Sequence, residues 1–231
     1  MRILPCGIGG TFTAPCWFVR TSQLVLTVFP NFLTDRPSTN FTTTLARLLT
    51  RHGNRVGALF YGSRIERTIP ARGGRIQVLR LVNDLLKQPL LARAPLTSLA
   101  PLLEGGMRSI KRRSLIFIIS DFISLPGWER PLNLLSQRHE VLAIRLWDPR
   151  EIELPDVGPM LMEDAETGEQ LYVDTHDKRF RQRFTEAARR REAELEQTFK
   201  HAGVDVLSLA TNDDLVRAIV RFAASRQPRR N

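Results

Sequence analysis

The chain has 231 residues, 42% of them hydrophobic, and carries 34 Lys and Arg against 24 Asp and Glu for a net charge of +10. That length suits one sizeable α/β core and is too short for two large domains. No apolar run approaches the roughly eighteen residues of a membrane-spanning helix, and Met1 to Phe18 lack the plan of a signal peptide, so a cytoplasmic protein is expected.

Residues 1–45 differ in kind from the rest. Only Arg2, Arg20, Asp35 and Arg36 are charged there, and threonine is abundant. Within this atypical segment Gln23 to Phe29, stopped by Pro30, reads as one buried strand. Gly7 to Gly10 follows no strand and lacks the Lys-Ser/Thr partner of a phosphate loop. Cys6 and Cys16 build neither a disulfide framework nor a zinc-ligand set.

Regular patterning starts near Thr42. Leu45, Leu48 and Leu49 form a short helical face ended by Gly53. Arg55 to Tyr61 reads as a strand, Gly62-Ser63 as a tight turn, and Ile65 to Ile69 as an antiparallel edge strand with Glu66 and Arg67 outward. Pro70 to Gly74 reads as a loop. The spacing of Ile76, Leu79, Val82, Leu85 and Leu86 predicts an amphipathic helix ending before Pro89. A further helix starts at Leu96 to Ala100 and runs through Leu102, Leu103 and Met107, with Gly105-Gly106 as a weak point.

Ser114 to Phe122 is the organising stretch. Its unbroken apolar run predicts a strand buried on both faces, the centre of a parallel sheet. A short helix from Trp128 to Gln137 and a strand from Glu140 to Leu146 complete a βαβ unit. Pro159 to Asp164 and Gln170 to Asp174 form an inserted hairpin with Thr167-Gly168 at its tip. Thr175 or Asp177 caps a long helix that buries Phe180, Phe184, Ala187, Ala188, Leu195 and Phe199 and ends at Gly203. Its Arg/Glu face around Arg189 to Glu192 is expected to be solvated. Val204 to Leu209 is the last parallel strand, and Thr211 to Phe222 the last helix, capped by Thr211 or Asn212.

Alternating strands and helices predict a doubly wound α/β sheet, whose ligand crevice lies beyond the carboxyl ends of its strands. Ser120, Asp121, Thr97, Asp148 and the Ser63 turn should face it. Hydroxyls and a carboxylate suit a hard cation such as Mg²⁺. His52, His139, His176 and His201 are scattered near element ends and read as surface or capping histidines. No Gly-x-Ser-x-Gly elbow supports a Ser-His-Asp triad, and a P-loop is absent. Basic residues are interleaved with acids except at Lys111 to Arg113 and Arg226 to Arg230, which argues against a dedicated nucleic-acid surface.

From about Leu45 to Arg221 the chain resembles the family catalogued as domain of unknown function 58, whose members look like von Willebrand factor A domains. The resemblance rests on Gly53-Asn54-Arg55-Val56-Gly57, on Ser114 to Phe122, and on Arg138-His139-Glu140-Val141. It continues through Asp148-Pro149-Arg150-Glu151, Leu154 to Gly158, and Glu163-Asp164 to Thr175. It implies a mostly parallel doubly wound sheet with one antiparallel edge strand and an inserted hairpin, residues 46–225, followed by a basic tail, 226–231. It also implies a metal-ion-dependent adhesion site, in which Thr97 matches the loop threonine and Asp121 the last aspartate. The site's Asp-x-Ser-x-Ser is missing after the first strand, where Pro30 to Thr34 stand instead. Thr97 and Asp121 alone should hold Mg²⁺ weakly, or with a partner's carboxylate. The charge-poor start is consistent with a shifted reading frame or a decayed N-terminus.

The function so implied is a non-enzymatic, metal-dependent interaction module, similar to family members that look like partners of MoxR-type AAA+ ATPases in chaperone-like assembly. The alternatives are a metal-dependent hydrolase using the same crevice and a basic nucleic-acid binder.

Overall fold

The computed structural model describes residues 23–28, 54–61, 65–87, 98–163, 170–214, 217–218 and 221. Its strands are β1 (Gln23–Val28), β2 (Arg55–Tyr61), β3 (Ile65–Arg72), β4 (Leu115–Ser120), β5 (Glu140–Trp147), β6 (Pro159–Glu163), β7 (Gln170–Asp174) and β8 (Asp205–Ala210). The helices are α1 (Arg75–Leu86), α2 (Ala100–Ser109), α3 (Glu129–Arg138) and α4 (Lys178–Ala202), with a 3₁₀ turn at Pro149–Glu151.

Six strands form one sheet in the order β3-β2-β1-β4-β5-β8, and β6-β7 is a separate hairpin. β1 pairs in parallel with both β2 and β4, and β4-β5 and β5-β8 are also parallel. Among the described residues of this sheet only β3 runs antiparallel, at the edge. The chain winds outward from β1 to β3, then crosses to β4 and winds the other way. The expected doubly wound, mostly parallel α/β sheet, with its antiparallel edge and inserted hairpin, is therefore the observed one.

A core lies on each side of the sheet. On one side Phe60, Leu115, Phe117, Ile119, Ile144 and Leu209 pack with Val78 and Leu81 of α1. On the other, Leu59, Ile116, Ile118 and Ala143 pack with Leu102, Leu132, Leu195 and Phe199 of the next three helices. β4 contributes alternate residues to both, and all six of its residues are buried. That is why its sequence shows no polar alternation.

Several local expectations change. β3 continues through Pro70 to Arg72 with register shifts against β2, because an edge strand has one unpaired side where proline's missing N–H is harmless. α1 buries Gln77, Val78, Leu81 and Asp84, while Ile76, Leu79 and Leu86 are exposed. The Gln77 amide donates to the Val56 and Pro70 carbonyls at 2.9 and 3.0 Å, and Asp84 faces Arg67 at 3.2 Å. The inward face thus combines Val78, Leu81 and the partly buried Val82 with the partnered polar groups Gln77 and Asp84, and is rotated from the face that a count of apolar residues gives. Gly105 is a close-packing point, since a Cβ there would lie 2.1 Å from Ile65 Cδ1.

α4 buries Ala188, Leu195, Phe199 and Ala202, with Phe180 and Phe184 half-buried and Ala187 exposed. Its Arg/Glu face is only partly solvated. Glu192 makes a two-pronged ion pair with Arg145 of β5, whose side chain is 5% exposed. Asp177 caps α4 by accepting from the Arg179 N–H, and Gly203 ends it at φ 62°. The last helix, of which Arg217, Ala218 and Arg221 are described, is capped by Asp214. Thr211 instead donates its hydroxyl to Asp148.

Candidate functional site

In a doubly wound sheet the ligand crevice opens where the winding direction reverses, outside the carboxyl ends of the strands. Here the reversal falls between β1 and β4, and Asp121 is the first residue after β4. The residues after Val28, Thr97 and the Ser63 turn lie outside the described residues.

Asp121 is half-exposed. Its Oδ1 accepts from the Ile123 N–H at 3.0 Å and from the Ser120 hydroxyl at 3.2 Å. The buried Ser120 oxygen in turn accepts from the Phe122 N–H at 3.0 Å. These bonds fold the chain back on itself directly after the strand. Phe122 completes the bend with φ 61°, a left-handed conformation that costs a bulky residue about 1–2 kcal/mol. Its ring offsets that strain. It is 3% exposed and packs edge-on against Phe199 at 4.9 Å and against Trp128 at 5.9 Å. Sequence patterning reads Phe122 only as the end of an apolar run; a left-handed phenylalanine has no signature in the residue order.

The same loop reaches the start of α2. Ser124 Oγ accepts from the Leu99 N–H at 3.0 Å, across 25 residues of sequence. The start of α2 and the loop that begins at Asp121 are thereby joined.

The donor set around Asp121 is oxygen only, a carboxylate with the Ser120 hydroxyl beside it, which fits a hard cation. Among the described residues no three His, Cys, Asp or Glu side chains cluster as a closed metal cage. Such a cation would find only an open, incomplete shell among the described residues.

Asp148 has a different task. Its Oδ1 accepts from the Arg150 N–H at 2.8 Å, and its N–H donates to Glu151 at 3.2 Å, a reciprocal cap on the 3₁₀ turn. Glu151 is pushed above its ordinary value chiefly by burial, against the pull of its backbone bond and of Arg145 and Arg191.

One histidine departs from the surface role expected of it. His139 is 3% exposed, and among the described residues neither ring nitrogen meets a hydrogen-bond partner. Burial, then Arg138 and Arg113, hold its pKa below the ordinary value. His176 is exposed and pairs through Nδ1 with Asp156 at 2.5 Å. That bond, followed by the charge of Arg181, holds the Asp156 carboxyl below its usual range. His201 is exposed, and His52 lies outside the described residues. No helix among the described residues is long and apolar enough to cross a membrane.

The comparisons agree with this architecture. The family model described as protein of unknown function DUF58 matches residues 35–194. The Mycobacterium tuberculosis protein Rv1480 is 38% identical over 175 residues, 76% of this chain and 55% of its own length. The Mycobacterium avium protein MAV169 is 39% identical over 162 residues, 69% of this chain and 94% of its own. The chain thus spans about half the length of Rv1480.

Among solved structures, an aerotolerance-related membrane protein from Bacteroides fragilis superposes with a TM-score of 0.55 at 12% identity, covering 88% of this chain and 99% of that one. BatB from Bacteroides thetaiotaomicron gives 0.51 at 11% identity with the same coverage. These likenesses are of fold. With the family model matched over most of its length and relatives at this identity, the chain belongs to the DUF58 family.

Proposed function

We propose that the protein is an interaction module whose carboxyl rim presents a divalent cation to a partner. Asp121 and Thr97 hold Mg²⁺ there, and an acidic side chain of the partner completes its shell. The cation supplies a concentrated positive charge for that carboxylate; the chain's own residues position it. The observation that carries this reading is the fixed Asp121 loop at the winding reversal, strained at Phe122 and tied to the start of α2 through Leu99 and Ser124. Strain held in place by packing, next to a rim carboxylate, supports reading Asp121 as a pre-positioned ligand group. The partner this family resemblance favours is a MoxR-type AAA+ ATPase, and the work is chaperone-like assembly in the cytoplasm.

Calorimetric titration of Mg²⁺ into the protein and into Asp121→Ala tests the metal. Weak binding that Asp121→Ala abolishes is expected, and equal heats from both proteins remove the metal from the rim. Capture of the ATPase that requires Mg²⁺ supports the partner. Metal-dependent turnover without any partner points to a hydrolase instead.

A further inference from the structure

A second surface lies along the first half of α4. A groove of about 620 Å³ runs between the Glu153-Leu154 segment and one stripe of the helix, lined by Lys178, Arg181, Thr185, Glu186 and Arg189. Those helix positions recur at three- and four-residue steps, so they form one continuous face. Arg181 is fixed in place. Its guanidinium pairs with Asp156 at 3.1 Å and donates to the Thr175 carbonyl.

The inserted hairpin rises from the same anchor. Thr175 Oγ1 donates to the Gly158 carbonyl at 2.8 Å and accepts from the Val157 N–H at 3.0 Å, closing the hairpin's base beside Arg181. On the hairpin, Leu161 and Tyr172 stand directly opposite each other across the two strands. They are 55% and 71% exposed, and Val157 at the base is 62% exposed. Paired apolar side chains in water on a hairpin that shares no ladder with the main sheet mark a contact surface.

Charge selects the occupant. Between Lys178 and Arg191 the helix carries seven basic residues and one acidic one, Glu186. A second copy of a chain with net charge +10 is repelled by such a surface. Nucleic acid suits it less well, because the hairpin at the same anchor offers exposed apolar contacts, Leu161 and Tyr172, that a phosphate backbone does not use. A protein segment with both acidic and apolar side chains matches every part.

We propose that the groove and the adjoining Leu161/Tyr172 face of the hairpin form a metal-independent docking site for an extended acidic and apolar segment of a partner protein. It shares no residue with the Asp121 rim and stands or falls separately from it. The probe is a fluorescently labelled peptide of alternating Glu and Leu, followed by anisotropy in EDTA with the full chain. Binding that weakens with added salt is expected. Lys178→Glu with Arg189→Glu should weaken it by about tenfold or more, as should Leu161→Ser with Tyr172→Ser. Lys111→Glu with Arg112→Glu, and Asp121→Ala, should leave it unchanged; circular dichroism confirms that each variant is folded. No peptide binding in EDTA, undiminished binding by the groove variants, or displacement by a single-stranded oligonucleotide at concentrations no higher than unlabelled peptide overturns the proposal.

Discussion

The Leu99 N–H and Ser124 Oγ, 3.0 Å apart, join two rim loops that are 25 residues apart in sequence. Leu99 opens α2 without any side-chain cap of its own, so the Ser124 hydroxyl satisfies a donor that would otherwise be buried with Leu99. Ser124→Ala should cost about 1 kcal/mol of stability, the usual worth of such a cap. Urea denaturation measures it. If the rim also holds Mg²⁺, the same variant should bind it more weakly although no ligand has been removed.

Phe122 combines backbone strain with a buried ring. Phe122→Ala keeps most of the strain and loses the contacts with Trp128 and Phe199, so it should destabilise by about 3–5 kcal/mol. Phe122→Gly relieves the strain by about 1 kcal/mol and should be the milder of the two. Chemical denaturation followed through tryptophan fluorescence ranks them; a Gly variant less stable than Ala contradicts this account of the bend.

The Arg145–Glu192 pair ties β5 to α4. Glu192→Ala leaves a nearly buried guanidinium without its main partner and should cost about 3 kcal/mol, the low end for a broken buried pair. The low end applies because Glu192 is itself 28% exposed and Glu151 acts on Arg145 from nearby. Converting both residues together, Arg145→Met with Glu192→Leu, should recover most of the loss. A double variant as unstable as the single one shows that the cost does not come from the stranded charge.

His139 gives the pH dependence a sign. Burial, Arg138 and Arg113 lower its pKa in the folded protein below the ordinary 6.5, so below that pH the unfolded chain binds the proton first. Stability from this group is complete above about pH 6.5 and falls as the pH drops toward the folded value. His139→Leu should flatten that part of the profile. It should also be neutral or stabilising near pH 7, since it removes two polar atoms that meet no partner among the described residues. Thermal melts across the acid range decide it, and an unchanged slope in His139→Leu assigns the pH dependence to other groups.

Gly57 sits where β2 meets the irregular part of β3. A Cβ there would lie 2.8 Å from the Ile69 carbonyl oxygen and 2.9 Å from the Ala71 nitrogen. Both are backbone atoms that cannot swing aside, so Gly57→Ala should cost about 1–3 kcal/mol. Gly105→Ala meets only the end of the Ile65 side chain and should cost less. Paired denaturation curves test the order of the two.

The sequence alone determined the sheet's central strands, its antiparallel edge, the inserted hairpin and the rim position of Asp121. These follow from short-range rules: an unbroken apolar run means burial on both faces, and a strand-helix-strand spacing means parallel pairing. It also pointed to the family, through motifs whose residues lie close together in the chain. Only the tertiary structure decided which face of α1 turns inward, because Gln77 and Asp84 find their partners on β2 and β3 rather than in their own helix. It alone brought Glu192 to Arg145 across 47 residues, placed Phe122 in its left-handed bend against Phe199, and closed the hairpin's base onto Arg181. A polar group can be buried once a partner satisfies it, and those partners are distant in sequence, where periodicity carries no record of them.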